Sequence, residues 1–291
     1  MGFGTGLSVT EALRLSGREP ALQLRDVLRE KVERLVTAGR LPTLAVVRAG
    51  QDEATAKYAR QILRTCQRIG VFGREEILAP DTSTQEIVDR VTSLAELETV
   101  DGVMVQFPLP DGVDETQVVD AIPPAKDVDR VTRYAMGELF TGVTPLAPAT
   151  ALAVVRLLDF YDIPLSGCHS AVVGRSNIAG KPVSALLLAR HSTVTLCHSR
   201  TPDLAEVTRR ADILVVAVGV KHLVGNDYVK PGAVVVDVGT NYEDDGVYGD
   251  VDPVAVSPVA SALSPVPGGV GPLTNYCLLA TLMTLIHRRW G

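Results

Sequence analysis

Ser170-Ala171-Val172-Val173-Gly174-Arg175-Ser176-Asn177-Ile178-Ala179-Gly180-Lys181-Pro182 is the stretch whose reading decides the fold. A short apolar run, Ser170 to Val173, meets a glycine-bearing turn, and the turn opens onto a helical pattern that continues through Arg190. A buried strand passing into a helix in this way lets backbone N–H groups and a helix N-terminus meet phosphate. The two glycines stand six residues apart, so the turn is not Gly-x-Gly-x-x-Gly. Nor is it a P-loop: it is one residue too long, and Pro182 follows the lysine where Ser or Thr would hold magnesium. Spacing alone leaves two readings open, a phosphate-binding turn and a purely structural one.

The flanking sequence repeats the alternation. Thr193 to Cys197 reads as a strand, Ile213 to Val218 and Ala233 to Val238 as buried strands, and helix Ala151 to Tyr161 precedes Ser170. Upstream, Ala21 to Thr37 places Leu22, Leu24, Val27, Leu28, Val32 and Leu35 near helical spacing. Thr43 to Val47 is a strand closed by Gly50, and Ala54 to Ile69 is a helix ending at Gly70. Gly102 to Phe107 is a strand stopped by Pro108 and Pro110. Strands alternating with helices predict an α/β protein with covered parallel sheets. A length of 291 residues suits two domains, and Pro145 and Pro148 mark the break between 1–147 and 148–271. The final helix, Thr274 to Arg289, follows a glycine-rich loop and is expected to complete the first domain as residues 272–291.

Composition excludes several classes. With 28 Lys+Arg against 34 Asp+Glu, the formal charge of −6 argues against nucleic acid or an anionic membrane as partner. No apolar run approaches membrane-spanning length, Tyr276 to Ile286 being the best and far too short. The N-terminal MGFGTGLSVTEALRLSG has neither a basic start nor an apolar core, so no secretory leader is expected and the location is read as cytoplasmic. Cys66, Cys168, Cys197 and Cys277 are scattered, and the histidines form no HxH or HExxH pair. No metal site is expected, and the cysteines read as free thiols in a reducing compartment.

The strand after the glycine turn bears on the cofactor. An NAD site places an acid about 20 residues beyond the turn, at the end of the second strand, to hold the ribose 2′-hydroxyl. Here that place holds Cys197-His198-Ser199-Arg200-Thr201, with no acid. Arg175 and Ser199 can instead bind a 2′-phosphate by charge-assisted hydrogen bonds, which favours NADP over NAD. A solvated polar loop is the alternative.

Several segments together resemble one family, the bifunctional methylenetetrahydrofolate dehydrogenase/cyclohydrolases of FolD type. Gly174 to Pro182 and Thr195 to Thr201 look like its NADP signatures. Asp101 to Pro110 (DGVMVQFPLP), Lys126 to Asp129 (KDVD) and Pro265 to Thr274 (PVPGGVGPLT) look like its folate signatures; Asp237 to Asn241 and Gly249 to Asp252 also fit. The resemblance runs in family order from about residue 11 onward. It implies an N-terminal α/β folate-binding catalytic domain and a C-terminal Rossmann-like NADP-binding domain with a cleft between them, in a homodimer formed through the second. It further implies that Tyr58 stacks near the pterin and that Gln106 and Asp129 hold the folate, these three forming the catalytic set. Ile62, Val105, Phe107 and the loop Pro267, Gly268, Gly269, Val270, Gly271 would line the substrate site. Gly174, Arg175, Ser176, Ser199 and Thr240 would bind the cofactor.

The departures carry the functional question. The family's lysine, four residues after the tyrosine, falls on Ile62, in a register fixed without a gap by Gly70. KDVDG becomes KDVDR with Arg130, Pro-Cys-Thr-Pro becomes Pro145-Leu146-Ala147-Pro148, and Thr55 stands for the usual serine. No basic residue shares Ile62's helix face, because Lys57, Arg60 and Arg64 lie about 140–160° around it. Hydride transfer needs mainly alignment and stabilisation of a developing cation, whereas the cyclohydrolase step needs proton transfer, for which isoleucine is useless. The expectation is an NADP-dependent methylenetetrahydrofolate dehydrogenase with weak or lost cyclohydrolase activity. Two alternatives stand beside it: full bifunctionality, with a residue such as Lys126 carrying the proton, and a degenerate relative that binds NADP without turning over folate.

Overall fold

The computed structural model describes residues 11–290; residues 1–10, part of the stretch read for a leader, lie outside it, as does Gly291. The chain begins with β1 (Leu13–Arg14), α1 (Arg18–Thr37), β2 (Thr43–Ala49), α2 (Glu53–Ile69), β3 (Phe72–Leu78) and α3 (Thr84–Glu96). β4 (Gly102–Val105), α4 (Glu115–Asp120), α5 (Arg133–Phe140), α6 (Ala149–Phe160), β5 (His169–Val173), α7 (Gly180–Ala189) and β6 (Thr193–Cys197) follow. Then come α8 (Leu204–Thr208), β7 (Ile213–Val216), β8 (Val234–Asp237), the hairpin β9 (Asn241–Glu243) and β10 (Gly246–Tyr248), α9 (Pro253–Val256), β11 (Ala262–Leu263) and α10 (Gly271–Trp290). These elements form two compact units, Glu19–Ala153 with 272–290, and 11–18 with Val154–Gly271. Among the described residues no helix is long and apolar enough to cross a membrane.

The first unit is built on a three-stranded parallel sheet in the order β3-β2-β4. β4 is apolar and buried throughout and β2 is so from Leu44 to Val47, as strands of a covered parallel sheet must be. Val103 and Val105 join Ala45, Val47, Ile87, Val91 and Leu94 in one core cluster. β3 is different: Phe72-Gly73-Arg74-Glu75-Glu76-Ile77-Leu78 is a polar, half-exposed edge strand with no apolar run to announce it. Beside the sheet, α2 starts where the Asp52 carboxylate accepts the Thr55 N–H at 2.6 Å and ends at Gly70, whose φ of 86° is the left-handed cap a glycine adopts freely. Its buried stripe is Thr55, Ala59, Ile62, Cys66 and Ile69.

α10 belongs to this unit and is apolar on most of its circumference. It opens three residues earlier than its apolar pattern suggests, because Gly271 and Pro272 occupy a first turn where proline has no hydrogen bond to lose. Its far end is fastened through Asp101, 2% exposed, which accepts the Thr43 N–H at 3.0 Å and pairs with both Arg40 and Arg289. The Arg40 guanidinium also lies 4.2 Å over the Trp290 ring.

The second unit holds a six-stranded parallel sheet in the order β1-β11-β8-β7-β5-β6. β6 lies on one side of β5 and β7 on the other, so the winding direction reverses between β5 and β7. One correction concerns the N-terminal boundary. Leu13–Arg14 pairs with Ala262 and Leu263 and joins this unit rather than the domain 1–147, a two-residue pairing too short to show as a pattern.

A turn in the first unit explains the arginine of KDVDR. Arg130 has φ 55°, in the left-handed region that favours glycine, and its side chain is fully buried. The guanidinium pairs with Glu138 on α5 and donates to the Pro124 carbonyl at 3.4 Å. Asp127 closes the turn from within by accepting the Val131 and Thr132 N–H groups at 3.2 and 3.0 Å.

Two stability predictions follow from these anchors. Asp101→Ala should lower the unfolding free energy by about 3 kcal/mol, because it strands two arginines and a buried amide, while Arg289→Ala should lose about 1 kcal/mol. Arg130→Ala should lose about 3 kcal/mol with its buried ion pair, and Arg130→Gly about 1 kcal/mol less, since glycine removes the left-handed strain. Urea unfolding measures all four; an alanine variant at 130 as stable as the glycine variant would contradict the strain argument.

Candidate functional site

The folate-type residues lie in the first unit. Tyr58 is half-buried on α2, one turn before Ile62, which is fully enclosed with 0% exposure. Lys57, Arg60 and Arg64 are exposed on other faces of the helix. Gln106 follows β4, is 3% exposed, and donates its main-chain N–H to Val47 at 2.8 Å. Its Nε2 has no acceptor among the described residues. Strand alternation puts Val105 on the opposite face, so its side chain packs in the core with Val47 and Ile87, and Phe107 packs against the same cluster. Gln106 is the member of the three turned away from that core.

Asp129 arrives beside the same strand end. The preceding segment runs parallel to β4, with Val103 bridged to Asp127 and the Val103 N–H bonded to the Lys126 carbonyl at 2.8 Å. Asp129 is half-buried, with the main-chain N–H of Ala149, the first residue of α6, favouring its ionised form. Burial first, then the charge of Asp127, pushes its carboxyl up to about 7. Burial and the Asp129 charge in turn raise the Tyr58 phenol above its ordinary value, so it remains a neutral O–H donor.

Lys126 is not part of this arrangement. Its ammonium donates to the carbonyls of Ala95 and Leu97 at 2.6 and 2.8 Å, closing the C-terminal end of α3, where cations are favoured. The suggestion that it could carry protons at the site is corrected by this bond pair. Arg130 is likewise committed to Glu138.

The glycine loop and the nucleotide-type residues lie in the second unit. Pro267 and Gly271 are exposed, Gly269 and Val270 buried, and the Gly268 carbonyl accepts the Gly17 N–H at 2.9 Å. Gly174 ends β5 with φ 119°, where a Cβ would collide with the Ala217 carbonyl, and a Cβ on Gly180 would collide with the Gly174 carbonyl. The two glycines therefore close a tight cradle that no other residue could form. α7 opens from it with no side-chain cap, leaving its N-terminal amides to the loop and to any anion placed there. Ser176 shapes the loop, its Oγ accepting the Ala179 N–H at 3.2 Å and its carbonyl the Lys181 N–H at 3.1 Å.

β5 and β6 run in register, Val173 opposite Cys197, and Gly174 donates to the Cys197 carbonyl at 2.9 Å. Arg175 and Ser199 therefore emerge from adjacent strand ends, both exposed. Among the described residues the Arg175 guanidinium has no ion-pair or hydrogen-bond partner, and no acid stands at the end of β6. Thr240, also exposed, follows the neighbouring end of β8.

Two carboxylates stand behind these loops, in segments that fit the family pattern but to which the sequence reading gave no role. Asp237, which ends β8, accepts N–H groups from Gly239, Asp250 and Val251 at 2.9–3.1 Å, and burial pushes it up to about 6. Asp250 accepts those of Val218, Gly219 and Val220 at 2.7–3.0 Å, together with the Asn241 amide at 3.0 Å. A Cβ on Gly239 would strike Asp250, and one on Gly249 would strike Asp237. The available signal was a glycine close to each aspartate in Asp237-Val238-Gly239 and Gly249-Asp250.

Family models match both halves of the chain. Residues 15–129 match the family model of the tetrahydrofolate dehydrogenase/cyclohydrolase catalytic domain, and residues 148–290 that of its NAD(P)-binding domain. The bifunctional protein FolD of Parafrankia sp. is 48% identical over 265 residues, 91% of this chain and 96% of that one. The crystal structure of the bifunctional FolD methylenetetrahydrofolate dehydrogenase/cyclohydrolase from Campylobacter jejuni has a TM-score of 0.93 at 34% identity, covering 96% of this chain and 99% of that chain. The Trypanosoma brucei N5,N10-methylenetetrahydrofolate dehydrogenase-cyclohydrolase, solved with NADP cofactor and an inhibitor, has a TM-score of 0.92 at 33% identity, with 96% and 99% coverage. Matched along both halves and this closely related to FolD proteins, the chain belongs to the tetrahydrofolate dehydrogenase/cyclohydrolase family.

Proposed function

We propose that the protein is an NADP-dependent 5,10-methylenetetrahydrofolate dehydrogenase whose cyclohydrolase activity is weak or lost. The observation that carries the reading is the face of α2. Tyr58 is present, but the place one turn on is filled by an enclosed isoleucine, and Lys126 is bound to the end of α3.

The cofactor assignment rests on the Gly174–Gly180 cradle, the uncapped start of α7 and the exposed Arg175 and Ser199. Arg175 and Ser199 would hold the 2′-phosphate, while the cradle and the α7 amides would hold the pyrophosphate. When bound, NADP supplies the hydride acceptor. The folate carbon between two nitrogens gives up the hydride as a nitrogen lone pair moves onto it, and positive charge develops there. Asp129, ionised above about 7, stabilises that charge. Tyr58 keeps its proton and offers a ring face and an O–H donor. Leaving the Gln106 Nε2 without an acceptor costs about 1–3 kcal/mol, which a folate carbonyl or ring nitrogen would recover.

The cyclohydrolase step asks for a group that takes a proton from water and passes one to the leaving nitrogen. Ile62 cannot. A second reading, full bifunctionality, would run that proton through Asp129, whose carboxyl titrates near neutrality. As for assembly, β6 is an edge strand with Leu188 and Leu196 exposed beside it, which supports a homodimer formed through the nucleotide-binding unit. The net charge of −6 speaks against nucleic acid, and four free cysteines suit a reducing cytoplasm.

A paired assay tests the reading: reduced cofactor should appear from methylenetetrahydrofolate with NADP in preference to NAD, while methenyltetrahydrofolate disappears no faster than in buffer. Hydrolysis at a rate matching the reduction would establish the bifunctional reading, and neither activity would remove folate as substrate. Ile62→Lys should gain hydrolysis by about 10²-fold, the scale of one general acid–base group. The dehydrogenase kcat/KM should rise as pH increases through about 7, following ionisation of Asp129. Asp129→Asn should abolish that limb and lower the rate about 10²-fold; an unchanged pH profile would take Asp129 out of the mechanism.

A further inference from the structure

We infer that Asp250 is a positioning residue for the dinucleotide: it fixes the backbone loop Val218-Gly219-Val220 at the switch point of the nucleotide-binding sheet. The inference rests on the cofactor reading above and adds a residue to it that touches neither ligand.

In an open parallel sheet a ligand binds outside the carboxyl ends of the strands where the winding reverses. Here that place is between β5 and β7. One wall is the cradle at Gly174; the other is the loop that leaves β7 at Ala217, whose carbonyl faces Gly174 closely enough to exclude a Cβ. The amides of Val218, Gly219 and Val220 all turn to the Asp250 carboxylate at 2.7, 3.0 and 2.8 Å, with Asn241 as the fourth donor. Three consecutive amides converging on one carboxylate set the peptide planes of the loop, and Gly219, with φ 69°, supplies the reversal such convergence needs. Charge-assisted bonds of this kind are among the stronger ones a loop can have.

Asp250 is itself held. Its main-chain N–H and that of Val251 donate to Asp237, which ends β8, and the Asp250 carbonyl accepts the Val224 N–H at 3.0 Å. Val224 is further bridged to Val251. The chain of bonds therefore runs from β8 through Asp237 to the backbone at 250, and from the Asp250 side chain to the loop after β7. Both carboxylates are buried, and Gly239 and Gly249 leave the space they occupy. The loop meets Gly174 directly at the Ala217 carbonyl, so the peptide planes that Asp250 sets form one side of the cradle.

The test is binding, measured by titration calorimetry on the full chain with NADP and, separately, with a folate ligand. Asp250→Asn keeps the size but turns an amide N–H against the loop. It should weaken NADP binding about tenfold or more, the scale of one charge-assisted hydrogen bond, with folate affinity within about twofold of wild type. Hydrogen exchange should show faster exchange confined to the Val218 to Val220 amides. Asn241→Ala, which removes one neutral donor, should weaken NADP binding about threefold. It decides the matter if the Asp250 variant does not fold. Wild-type NADP affinity in either variant that folds, or an equal loss of both ligands, overturns the inference. A wild-type protein that binds no dinucleotide would instead remove the cofactor reading on which it stands.

Discussion

Loops at the ends of parallel strands carry amides that have no ladder partner, and in this protein buried aspartates take them up. Asp101 holds the Thr43 amide at the start of β2, and Asp127 holds those of Val131 and Thr132. Asp237 and Asp250 between them hold six, in the loops after β7 and β8 and at the segment that follows the hairpin. An unpaired buried amide costs about as much as a lost hydrogen bond, so each aspartate lets a loop lie close against a sheet without water. The same constraint explains the glycines: a carboxylate approaching a backbone this closely leaves no room for a Cβ at Gly239 or Gly249.

Much of the architecture was legible where burial is two-sided. β5 and β7 read as apolar runs because helices or neighbouring strands cover them, and the turn at Gly174 read as a strand-to-helix junction because its glycines are required by backbone collisions. α2 was legible almost to the residue, since Gly70 ends it and its apolar stripe has the helical period. β3 and β1 were not: one is a polar edge strand and the other only two residues long, so neither leaves a hydrophobic period. The site was legible by residue type rather than by direction. Val105, Gln106 and Phe107 stand together in the sequence, but strand alternation separates the glutamine from the other two. Lys126 looked available because a lysine's partners, here two carbonyls at the end of α3, come from about thirty residues away.

The departures from the family pattern fall into two physical kinds. Arg130 is compensated: a left-handed residue with a Cβ is unfavourable, and the buried guanidinium answers with an ion pair to Glu138 and a carbonyl contact. Ile62 is not compensated by any charge on its own helix face; it simply extends the apolar stripe from Ala59 to Cys66. The first kind preserves the shape of the turn that presents Asp129. The second keeps the helix face apolar and enclosed, so the residue fits the fold without a charged partner.

The membership of α10 in the first unit has a consequence for synthesis on the ribosome. Glu19–Ala153 is made early, but its core includes Leu278, Leu279 and Leu282 of α10, and the Asp101 anchor waits for Arg289. The second unit, apart from the short β1 made at the outset, is contiguous from Val154 to Gly271 and has every strand in hand before α10 is translated. Domains that fold in the order of their synthesis close from the N-terminus onward. Here the order is reversed: the nucleotide-binding unit has all its strands before α10 is made, while the unit that precedes it still lacks that helix.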